Sequence, residues 1–92
     1  MGTRQAILAE LSTAFSPTAV EVIDESAAHA GHAGNTGGGH FHVRMVAEAF
    51  RGKTAVQRHR MVYAALDAEM KAGAIHALSM ELTAPGEAPD RP

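Results

Sequence analysis

Residues 40–82 read HFHVRMVAEAFRGKTAVQRHRMVYAALDAEMKAGAIHALSMEL, and this stretch decides the architecture. It opens in alternation: Phe41, Val43 and Met45 point one way, and His42, Arg44 and Val46 the other, which is the period of a strand over His40 to Ala47. Phe50-Arg51-Gly52-Lys53 then reads as a turn. Thr54-Ala55-Val56-Gln57 has the spacing of a capping box, with a hydroxyl for an orphan N–H and a Gln to reach back. From there Val56, Tyr63, Leu66 and Met70, helped by Val62, draw an apolar helical stripe to about Lys71. Gly73 suits a left-handed helix end. Ile75 to Leu82 returns to a strand, with His76, Leu78, Met80 and Leu82 on one side. A strand–helix–strand run of this kind is a crossover, which places the two strands parallel.

Upstream, Thr18 to Glu25 reads as another strand, carried by Val20, Val22 and Ile23. Ser26 to Gly39 is a glycine-rich loop, long for a hairpin connection, and long loops of this kind are usually functional or disordered. The two strands around it form an antiparallel hairpin. Thr3 to Phe15 reads as a helix with Ile7, Leu8, Leu11 and Phe15 on one face. Ser16-Pro17 ends it, because a residue before proline avoids the helical region. The sequence therefore predicts an α+β fold: helices on one face of a three-stranded mixed sheet. One domain is expected over residues 1–85, with a flexible C-terminal tail over 86–92. The last ten residues, Thr83 to Pro92, carry three of the four prolines and read as frayed.

The 92 residues suffice for one domain whose core is built from aliphatic side chains, since 46% are apolar and only 4% aromatic. No apolar run approaches the roughly 20 residues of a membrane span. The start MGTRQAIL lacks the segments of a signal peptide, so a cytoplasmic protein is the expectation. Net charge is −2, which gives no global affinity for nucleic acid. Charge is nonetheless uneven: Arg51, Lys53, Arg58 and Arg60, with His59 among them, form a local basic patch. Such a patch suits an anion or an acidic partner surface.

The chain has no cysteine and six histidines. It can run no thiol chemistry, yet imidazoles can ligate metals or titrate near neutral pH. Four of the six lie in HAGHAGNTGGGHFH, residues 29–42. His29 and His32 form H-x-x-H on a loop rather than a helix, weak support for zinc. His40 and His42 share a strand face, where H-x-H can chelate a metal, but both read as structural. His59 sits on the basic helix face. No Ser-His-Asp spacing, paired-carboxylate motif or Walker-type phosphate loop is present, so an enzyme is not expected.

The run FRGKTAVQRHRMVY from Phe50 to Tyr63 resembles the signature of the BolA family. So do DESAAHAGH at the loop opening, HFHV at the strand start and IHALSM near the C-terminus. They keep the family's order and spacing from about Ile7 to Pro85. The resemblance implies an αββααβ fold of class II KH type, with a short helical turn near Lys53 to Val56 ahead of the longer helix. It also implies an adaptor, a monomer alone or a weak homodimer, that pairs with a monothiol glutaredoxin of the CGFS type. The pair, with glutathione, would share a [2Fe-2S] cluster. The family's invariant histidine ligand matches His76, and its variable loop ligand matches His29, with His32 as a weaker alternative. Because this chain supplies no thiolate, a partner must. BolA-like proteins are also described as transcription regulators, which would give Arg51, Lys53, Arg58, His59 and Arg60 a DNA-binding or partner role. Gly52-Lys53-Thr54-Ala55 lies where a KH loop would fall but lacks the second glycine. The scarcity of aromatics argues against strong single-strand binding.

Overall fold

A computed structural model describes residues 2–26 and 39–87. Helix α1 spans Thr3–Phe15, strand β1 Ala19–Asp24, β2 Gly39–Val46, helix α2 Ala55–Ala65, α3 Asp67–Lys71 and β3 Ile75–Thr83. A single 3-10 turn at Glu48–Phe50 links β2 to α2. The sheet order is β1-β2-β3; β1 runs antiparallel to β2, and β3 runs parallel to it. This is the mixed three-stranded α+β sheet that the sequence predicts.

The core follows from the periodicities. Ile7 and Leu11, one helical turn apart, are fully buried against Val22 of β1 and Phe41, Val43 and Met45 of β2. Val62 and Leu66 close the core from the other helices, and Phe50 fills the centre with its ring 5.2 Å from that of Phe15. The opposite sheet face is polar. Arg44 pairs there with Glu21 and Glu81, and His42 donates to or accepts from Ser79 at 2.6 Å while contacting Glu81 at 2.7 Å. These bonds engage both ring nitrogens of His42, so it is structural, as the sequence suggests.

The caps explain the element ends. Thr54 and Gln57 make both bonds of the capping box. Ser16 does leave the helical region before Pro17, but into the left-handed region at φ 44° rather than into extended backbone. Gly73, at φ 75°, closes α3: its N–H donates to Met70 O, and the Ala74 N–H donates to Glu69 O.

Three expectations need correction. The single helix from Thr54 to Lys71 is broken at Leu66, whose backbone leaves helical geometry (φ −101°, ψ 18°) while its side chain stays fully buried. The short helix implied near Lys53 to Val56 is therefore not there. Ala55 and Val56 begin α2, and the short helix is α3. The C-terminal segment is not frayed from Thr83: that residue ends β3, and Glu87 accepts from the Ala84 N–H and from Arg58.

Candidate functional site

Strand β3 carries a bulge at its entry. Gly39 pairs with Ile75 but His40 pairs with Ala77, so His76 is the extra, unpaired residue. A bulge re-aims a side chain. Ile75 points into the core, and the inward alternation resumes at Leu78, Met80 and Leu82, leaving His76 exposed. His76 is thus not on the side of Leu78, as simple alternation predicts. It turns out to the sheet end, where its ring meets that of His40 with centroids 5.1 Å apart and planes tilted by 40°.

His40 is held from both neighbours. Its N–H donates to the Ser26 hydroxyl at 3.0 Å, and its carbonyl accepts from the Glu25 N–H at 2.7 Å. The preceding Gly39 N–H donates to Ala74 O at 2.9 Å, tying β2 to the start of β3. Gly39 is required there because a Cβ would lie 2.3 Å from the buried Phe41 ring. The Ser26 N–H donates in turn to Asp24; hydrogen bonding from the Ser26 side chain, and then from this N–H, holds the Asp24 carboxyl below its ordinary range. Both ends of the glycine-rich loop are therefore fastened beside the His40–His76 pair. His29 and His32 lie outside the described residues. Among the described residues no group of three or more His, Asp or Glu side chains is poised to hold a metal ion.

The basic patch is divided by its own pairings. Arg51 bonds Glu48 and the Pro85 carbonyl. Arg58, its side chain only 13% exposed, bonds both carboxylate oxygens of Glu87 and the carbonyls of Lys53 and Leu82, and it stands over the Phe50 ring. These two arginines fasten α2 and the 3-10 turn to the chain after β3. The side chains of Lys53, His59 and Arg60 are exposed, with no ion pair among the described residues. A groove of about 360 Å³ runs between α2 and β3, lined by Lys53, His59, Met80 and Thr83 but also by Glu81 and Glu87. Its charge is mixed, because the carboxylates of Glu81 and Glu87 stand beside the local basic patch that the sequence shows. No helix among the described residues is long and apolar enough to cross a membrane.

The element order αββααβ and the mixed three-stranded sheet define a small α+β domain of class II KH type. Its relatives sharpen that class. The pattern of the BolA-like protein family matches residues 11–87, and the chain belongs to that family. It is 43% identical over 84 residues to SufE-like protein 1, chloroplastic/mitochondrial, of Arabidopsis thaliana, covering 85% of this chain and 22% of that protein. It is 40% identical to mouse BolA-like protein 1, covering 95% of this chain and 61% of the relative. The chain thus spans less than two thirds of either. The solved BolA domain of Arabidopsis SufE1 superposes with a TM-score of 0.81 at 42% identity, covering 96% of this chain and 99% of that one.

Proposed function

We propose that this chain is a non-enzymatic adaptor that binds a monothiol glutaredoxin and co-ligates a [2Fe-2S] cluster through His76. The single observation that carries this reading is the bulge, which presents His76 outward at the end of the sheet. Family membership supports it, as does the likeness to the BolA domain of a SufE-like protein. The donor chemistry also fits. Each iron of such a cluster takes two ligands beyond its bridging sulfides, and imidazole replaces thiolate in Rieske-type centres with a higher potential. A chain without cysteine leaves the thiolates to glutaredoxin and glutathione.

The second imidazole comes from the loop in this reading, His29 ahead of His32. His29 is three residues from Ser26, and three residues of chain reach at most about 11 Å. The anchored loop end therefore starts close enough to the pair for His29 to serve. The test mixes the chain with a monothiol glutaredoxin, glutathione, iron and sulfide and records visible absorption and circular dichroism. His76→Ala abolishes the heterodimer's spectrum in this account; an unchanged spectrum rules His76 out as ligand.

A further inference from the structure

Strand β3 is an edge of the sheet, and part of that edge is bare. The Thr83 carbonyl accepts from the Ala47 N–H and so faces β2. Backbone groups alternate along a strand, which turns those of Leu78, Met80 and Leu82 outward, away from β2. The Leu82 carbonyl accordingly accepts from Arg58, and the Ala84 N–H donates to Glu87, so these two side chains close the far end of the edge. The outward N–H and C=O of Leu78 and of Met80 have no partner among the described residues. We propose that this edge pairs antiparallel with the same edge of a second copy, about a two-fold axis at Ser79, joining two three-stranded sheets into one of six.

The register follows from which groups are free. Leu78 and Met80 have both edge groups open, and in an antiparallel pair they exchange bonds with Met80 and Leu78 of the second copy. The side chains agree with that register. Leu78 and Met80, half-buried against the core, meet Met80 and Leu78 of the second copy, apolar against apolar. On the polar face Ser79 meets Ser79, small enough for the close position between two hydrogen-bonded pairs. Glu81 falls opposite the exposed Ala77 of the second copy, so no like charges face each other. The second strand also has room. The groove beside α2 is lined by four consecutive residues, Met80 to Thr83, and therefore opens on the edge of β3 rather than on one face. The usual guards of a single edge are missing: His76 to Met80 include no proline, lysine, arginine or acid. Glu81 is turned across β2 to His42 and Arg44. At the opposite edge Arg4 occupies the Val22 carbonyl, inside a strand of only six residues. The contact is smaller than the roughly 1,200 Å² of a standard interface, so the dimer is reversible, with a Kd nearer about 1 mM than 1 µM. It uses no proposed metal ligand and is independent of the cluster reading.

The experiment is sedimentation velocity and ¹⁵N-amide NMR of the isolated chain from about 20 µM to 2 mM. The expected result is a monomer–dimer equilibrium in which the Leu78 and Met80 amides shift and gain exchange protection with concentration, while those of β1 stay fixed. Met80→Pro removes an outward donor, leaves the bonds to β2 in place and abolishes the dimer. Ala77→Glu sets a carboxylate opposite Glu81 of the second copy on both sides of the axis and weakens the dimer about three- to tenfold, whereas Ala77→Lys does not weaken it. Ala77 is exposed, so this pair of variants carries the test even if Met80→Pro folds poorly. A chain that stays monomeric over the whole range overturns the proposal. So does a dimer that Met80→Pro and Ala77→Glu both leave intact, or one whose shifts fall on β1 or α2 instead of β3.

Discussion

Arg58 closes on Glu87 with both carboxylate oxygens in reach, at 2.8 and 3.0 Å, and so ties the N-terminal half of α2 to the chain beyond β3. The guanidinium, aided by the Ala84 N–H, holds the Glu87 carboxyl down from its ordinary 4.5 to about 2. In the unfolded chain Glu87 takes up its proton first. Its contribution to stability is therefore complete above about pH 4.5 and is lost as pH falls towards 2. Glu48 and Glu81 are lowered as well, by Arg51 and by His42 with Arg44 respectively, and act in the same direction. Urea midpoints measured from pH 6 to pH 2.5 should fall more for the wild type than for Glu87→Gln. Parallel curves would show that the pair does not link folding to protons.

Arg58→Ala removes more than this ion pair. It bares the Leu82 carbonyl and uncovers Phe50, a loss of about 2 kcal/mol. For a domain of this size that lowers Tm by on the order of 10 °C. Arg58→Lys should not restore it, because an ammonium cannot serve the carboxylate and the carbonyls together. Full recovery by Lys would reduce the role to charge alone.

Gly39→Ala tests how the histidine pair is built. A Cβ at 2.3 Å from the Phe41 ring must displace a core side chain or shift the start of β2. Overpacking of this kind costs about 1–3 kcal/mol. The same shift disturbs the paired start of β2 and β3 beside His76, so stability and the cluster spectrum of the glutaredoxin heterodimer should fall together. A Gly39→Ala chain with wild-type stability and an unchanged cluster spectrum would contradict the fastening described above.

Much of this was legible from residue order. Alternation in HFHVRMV placed the central strand, Thr54 and Gln57 placed the start of α2, and Gly73 placed the end of α3. The break at Leu66 was not, because no proline or glycine marks it and the apolar spacing runs straight through. The bulge at His76 was missed although IHALSMEL carries its trace: Ile75 is out of phase with Leu78, Met80 and Leu82, and the pairing with Gly39 and His40 shows that His76 is the extra residue. For that reason His40 reads as structural from sequence, although the fold brings it beside His76. The basic run misleads in the opposite way: Glu48 and Glu87, which engage Arg51 and Arg58, lie 3 and 29 residues from them in the chain.

That division bears on DNA binding. With Arg51 and Arg58 engaged, Lys53 and Arg60 are the patch cations left to meet phosphates. Two neutralised phosphates give a slope of log K against log salt near −2 on duplex DNA. Fluorescence anisotropy between 50 and 200 mM salt should return a slope no steeper than about this. A slope near −4 or beyond would mean that the arginines abandon their carboxylates on binding.

The most direct test of the central claim reads the metal–nitrogen bond itself. The chain is labelled with ¹⁵N-histidine, assembled with unlabelled glutaredoxin, glutathione and a [2Fe-2S] cluster, reduced, and examined by pulsed electron–nuclear double resonance. The account predicts a strong ¹⁵N coupling from an iron-bound imidazole of this chain, lost in His76→Ala and kept in His59→Ala. A reduced heterodimer cluster with no coupled nitrogen from the labelled chain, or with couplings unchanged in His76→Ala, would contradict it.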